Sequence, residues 1–146
     1  METKEIAHKQ LSKFVGTWKT EGKVVPTNTN AGVDVHGTDT YEWLPGEFFL
    51  LHKVEATIGE EKVLTLEVIG FDAPANHYTM QHYDHKGNSG LMTATLMGDE
   101  WFFKGESLLF KGGFSEDDTV FSGVWEQLNK EKIWVPYMNI KLVKEE

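Results

Sequence analysis

Turn-forming clusters cut this chain into short segments of alternating polarity, and that punctuation constrains the fold more than any other feature. The segment 48–58 shows it best. Phe48, Leu50, His52, Val54, Ala56 and Ile58 fall on one face, and Lys53, Glu55 and Thr57 on the other. A period of two marks a strand with one buried side. On the same reading, strands are predicted at 17–25, 33–43, 48–58, 62–71, 77–83, 91–97, 101–105, 107–114, 119–128 and 133–144. The loop 26–32 is longer than most hairpin connections and is predicted to be a flap over a cavity mouth. Pro136 cannot donate to a ladder, so it is expected at a bulge or a strand start. Ahead of the strands, residues 3–13 predict a short helix with Ile6, Leu11 and Phe14 approximating one apolar stripe, Thr3 as its cap and Gly16 as its stop. It is too short to be stable alone and is expected to lie as a lid over one end.

No helical crossover separates the strands, so neighbours are expected to pair antiparallel in a meander of about eight to ten strands. Such a meander either closes or leaves two exposed edges, and closure abolishes both. The fold class is therefore all-β: a closed antiparallel barrel with one short N-terminal helix, residues 1–146 forming one domain.

Composition narrows the function. The formal net charge is -9, and every one of the 14 basic residues is a lysine. No basic stripe is available for nucleic acid. Without arginine, two-pronged gripping of a carboxylate or phosphate is not expected either. No cysteine is present, which excludes disulfides, thiol catalysis and thiolate metal sites. Neither a signal-peptide core nor a membrane-length apolar run occurs, so the expected location is the cytoplasm. Nothing in the chain argues against a homodimer.

His52 is the most informative residue, because it alone interrupts the apolar face of its strand. One reading makes it a polar group in a binding cavity; the other makes it a histidine bonded to a neighbouring backbone group or carboxylate. Glu67 interrupts the next strand in the same way. If the turn 59–61 sets a direct register, the two lie at comparable heights and form a His–carboxylate pair suited to acid–base work or to structure alone. His77, His82 and His85 cluster near one hairpin end, but their spacing matches no metal-ligand pattern, and no metal site is expected. His82, with Met80 and Tyr78 on its face, is expected to point inward. No nucleophile elbow or phosphate loop is present.

Gly16-Thr17-Trp18, following a short helix, resembles the Gly-x-Trp signature of the lipocalins and their calycin relatives. That resemblance implies that Trp18 plugs the closed end of a barrel, with a basic residue of the last strand packed across its ring. Lys141 is the first candidate for that residue and Lys144 the second. A wider resemblance rests on Gly16–Gly22, Tyr41-Glu42-Trp43-Leu44-Pro45-Gly46, Val68-Ile69-Gly70-Phe71-Asp72 and Gly123-Val124-Trp125-Glu126. These motifs are similar to a bacterial family of calycin-like barrels of unknown function, the 1579 series. The resemblance implies a barrel and no substrate. Nitrobindin, another calycin-like barrel, ligates haem through a late histidine, but no histidine follows His85 here, so no cofactor is expected.

Together these readings predict a carrier or sensor of a small, mainly apolar molecule. The expected cavity lining is Tyr41, Trp43, Leu50, His52 and Val54, with Glu67, Met80 and His82. Because arginine is absent, the guest is expected to be neutral, or its polar group to meet a histidine, a threonine or a glutamine such as Thr93, Thr95 or Gln127. The rival is a cavity enzyme, an isomerase, cyclase or lyase, using His52, Glu67 or His82. A third class, a purely structural domain, requires a barrel filled by its own aromatic rings.

Overall fold

The computed structural model describes residues 3–27 and 31–146. Its helix is α1 (Lys4–Ser12). Its strands are β1 (Gly16–Val24), β2 (Asp34–Trp43), β3 (Leu50–Ile58), β4 (Glu61–Asp72), β5 (His77–Asp84), β6 (Ser89–Met97), β7 (Glu100–Lys104), β8 (Leu108–Ser115), β9 (Val120–Leu128) and β10 (Trp134–Lys144). Each strand pairs antiparallel with the next, and β1 closes on β10, so the sheet is a closed barrel of ten strands. Phe48 and Phe49, expected in β3, instead belong to the preceding turn and are 67% and 51% exposed. The register slips between Pro136 and Met138, where proline interrupts β10. Residues 28–30 of the expected flap lie outside the described residues. No helix among the described residues is long and apolar enough to cross a membrane.

The N-terminal segment closes one end. Thr3 Oγ1 accepts from Ile6 N at 3.2 Å, which caps α1. Ala7 and Leu11, four apart on one helical face, are buried against the barrel. Phe14 then enters the barrel end, with the rings of Tyr41, Trp101, Phe114 and Phe121 at centroid distances of 5.2, 5.4, 4.8 and 5.1 Å. A positive φ of 136° at Gly16 turns the chain into β1, a conformation that glycine adopts without strain. Trp18 is completely buried, and its Nε1 donates to Phe14 O at 2.7 Å. The indole is thus held by its own N-terminal neighbour as well as by packing.

The basic residue across Trp18 is Lys144, with Nζ 5.6 Å from the ring centroid. Lys141, the first candidate from sequence, pairs with Glu21 and is exposed. The reason is the strand's period of two. Buried Met138 and Leu142 fix the inward positions of β10, which places Lys144 inside and Lys141 outside.

Ring packing continues along one wall. Phe110 lies between Phe103 at 4.8 Å and Phe121 at 5.5 Å. Gly112 and Gly123 face each other across β8 and β9, and a Cβ on Gly123 would stand 2.5 Å from Phe110 Cζ. The missing side chains leave room for that ring. Aromatic packing fills the barrel at the α1 end, while the opposite half stays hollow.

Candidate functional site

The hollow half holds a cavity of about 370 Å³. It reaches the barrel end away from α1, where Ile58, Val63, Leu108 and Tyr137 lie at strand ends. Phe103, Phe110, Phe121 and Trp125 form one side. The other side is polar, and the ladder explains why. Tyr41 faces His52 across β2 and β3, His52 faces Glu67 across β3 and β4, and Glu67 faces His82 across β4 and β5. Directly opposed residues project from the same side of a sheet.

His52 is the centre of this row. Its Nδ1 lies 2.9 Å from Glu67 Oε1, and its Nε2 lies 2.6 Å from Asp39 Oδ2. Thr20 Oγ1 donates to the other Asp39 oxygen. Thr20, Asp39 and Glu67 are the buried polar residues among those described, and all three belong to this cluster. Carboxylates only accept, so with both ionised each ring nitrogen of His52 carries a hydrogen. Burial works against that charge, but the hydrogen bonds to Asp39 and Glu67, and then their charges, outweigh it and raise the His52 pKa to about 9. With both carboxylates ionised, the cluster holds two negative charges and one positive. Tyr41 stacks on the imidazole at 3.9 Å with its plane within 7°. Burial, and then the charges of Asp39 and Glu67, push the Tyr41 phenol well above its usual range. It stays neutral and covers one face of the cation.

Two polar groups remain unmatched. Nδ1 of His82 is the one buried side-chain polar atom without a hydrogen bond among the described residues. The second oxygen of Glu67 has no protein donor among the described residues and is not sealed off in that way. Leaving a buried polar group unmatched costs about 1–3 kcal/mol, so His82 Nδ1 has free energy to gain from a guest or water.

Of the residues expected to line a cavity, Tyr41, His52, Val54, Glu67, Met80 and His82 do so. Trp43 and Leu50 do not line this cavity, because they stand at the α1 end, where Trp43 instead borders a cleft beside the helix. Leu50 is wholly buried in the core, and Trp43 stacks on His8 of α1 at 4.5 Å. Thr93 and Thr95 alternate with buried Met92 and Ala94 and so point outward, and Gln127 is exposed. His77 and His85 are separated, His85 accepting from Leu64 N at 3.3 Å near the opposite strand end. Among the described residues no group of three or more His, Cys, Asp or Glu is placed to hold a metal ion. Sequence reasoning misses Asp39, although it shares the inward face of β2 with Tyr41 and an acid on such a face is itself a signal. A second, open groove of about 560 Å³ lies outside the barrel beside Lys4, His8 and Phe48, but no buried polar group among the described residues converges there.

Fold and site define a class: closed up-and-down β-barrels with an internal cavity and a buried polar cluster on its wall. A family model described as "Protein of unknown function (DUF1579)" matches residues 3–116, and the chain belongs to that family. Among solved structures the chain is similar to Rv2717c from M. tuberculosis, with a TM-score of 0.69 and 10% identity over 96% of this chain and 98% of that one. At that identity the likeness is one of fold. No curated protein matches the sequence.

Proposed function

We propose that the barrel binds a small, mainly apolar molecule in its interior, as a carrier or sensor. The observation that supports this reading is the unfilled half of the barrel, about 370 Å³ of largely apolar space with one cluster of polar groups on its wall. Cavities of this size suit one small guest, with apolar burial supplying affinity and a few polar groups fixing orientation. The test is titration with N-phenyl-1-naphthylamine, a neutral probe whose fluorescence rises in apolar surroundings. Saturable binding is expected in the native protein. It is expected to be lost in Val54→Trp, which fills the cavity, provided circular dichroism shows that the variant folds. Equal binding by a folded Val54→Trp protein contradicts the reading. Native mass spectrometry of the purified protein would identify any retained guest.

The His52–Glu67 contact supports a second reading, an isomerase, cyclase or lyase acting in the cavity. The free oxygen of Glu67 would take a proton and His52 would hold the charge balance. Turnover with a pH dependence that disappears in His52→Ala supports this reading; unchanged binding without turnover supports a carrier.

A further inference from the structure

We propose that the guest is a hydrophobic amine, a cation with an apolar body, whose ammonium group sits against Glu67 and the carboxylate cluster. The inference rests on the cavity-binding reading above and adds the sign of the guest's charge. The first argument is a charge count. Asp39 and Glu67 flank a single imidazolium, His52, and no lysine among the described residues lines the cavity. With both carboxylates ionised and His52 protonated, this cluster carries one uncompensated negative charge. Both nitrogens of His52 already face carboxylates, so it has no N–H left to offer a guest anion.

The second argument is the direction of the free hydrogen-bonding capacity. The unmatched oxygen of Glu67 accepts and cannot donate while ionised. An ammonium group supplies the missing donor and the missing charge together. A hydroxyl supplies only the donor, and a carboxylate supplies neither. The third argument is the opposite wall. Phe103, Phe110, Phe121 and Trp125 present π faces to the same space, and such faces attract cations as well as apolar bodies. The absence of arginine points only to a guest that is not gripped as an anion. The geometry goes further and favours the opposite charge.

The test is competition at pH 7.5 against N-phenyl-1-naphthylamine, using three compounds with one naphthalene body: 1-naphthylmethylamine, 1-naphthalenemethanol and 1-naphthoate. Competition should follow that order, with the amine about tenfold tighter than the alcohol and the carboxylate weaker again. Glu67→Gln removes the uncompensated charge, and there the amine should lose its advantage while the alcohol keeps its affinity. A naphthoate that competes as well as the amine overturns this inference and leaves the cavity reading standing. Failure of the reporter itself to bind overturns both. The wild-type series decides the matter even if Glu67→Gln does not fold.

Discussion

Glu67 stands directly opposite His52 across the β3–β4 ladder, and their side chains meet at 2.9 Å. Asp39 completes the arrangement on the other ring nitrogen at 2.6 Å. Two buried carboxylates thus depend on one cation. His52→Ala removes that cation, leaving Glu67 without its partner and Asp39 with Thr20 alone in a poorly solvated site, where such a loss costs about 3–5 kcal/mol. Urea unfolding at pH 7 measures it. A loss below about 1 kcal/mol would mean that water already neutralises the cluster.

The same pair sets a pH dependence. The folded-state pKa of His52 lies at about 9, above its ordinary value of 6.5. A raised histidine pKa stabilises the fold fully below the unfolded value and loses that contribution as pH climbs through the folded one. Stability attributable to His52 should therefore hold up to about pH 6.5, decline above it and be gone beyond about pH 9, a total of up to about 3 kcal/mol. Thermal melts of wild type and His52→Gln across pH 6 to 10 read the difference. A wild-type curve parallel to that of the variant contradicts the assignment.

Trp18 and Lys144 give a prediction about the closed end. Trp18 is completely buried and hydrogen-bonded, so Trp18→Ala should cost about 3–5 kcal/mol. Lys144→Ala removes one cation from the ring and should cost about 0.5–1 kcal/mol. Lys141→Ala, on the exposed face, should fall within about 0.5 kcal/mol of wild type. Chemical denaturation of the three variants checks the order. A larger effect at Lys141 than at Lys144 would reverse the assignment.

Gly123 tests the ring packing. A Cβ there would meet Phe110 Cζ at 2.5 Å and crowd backbone atoms of Lys111 and Gly112. The Lys111 oxygen and Gly112 Cα belong to the backbone of β8 and cannot swing aside as a side chain can, so Gly123→Ala should lose about 1–3 kcal/mol. Gly98 offers a contrast: a Cβ there would meet nothing within 4 Å, but its φ is 64°, so backbone strain alone acts. Equal melting temperatures for Gly123→Ala and wild type would show that the β8–β9 wall is looser than described.

Much of this is legible because strands report their faces with a period of two. Alternation alone assigns Leu50, His52 and Val54 to the inward side, and the 59–61 turn then sets the register that pairs His52 with Glu67. The same rule contains the choice between Lys141 and Lys144, since Ile140 and Leu142 mark the inward positions around them. Height along the barrel is not legible. Trp43 and Leu50 share the inward side with Tyr41 and His52, yet Phe14 and α1 pack the end where they stand. That packing joins residues far apart in sequence, which a local pattern does not encode. Phe48 and Phe49 extend the apolar run of β3 but lie in the turn before it, because the hydrogen bond from Leu44 N to Phe49 O closes that turn first.

The methionines provide the most direct test of an occupied interior. Met80, Met92 and Met138 line the cavity, and Met97 is 68% exposed on the outside. Methyl NMR of methionine-labelled protein during titration with the neutral probe N-phenyl-1-naphthylamine should shift the Met80, Met92 and Met138 signals together and leave Met97 in place. Saturation with those three signals unmoved, or with Met97 alone responding, would contradict an interior guest.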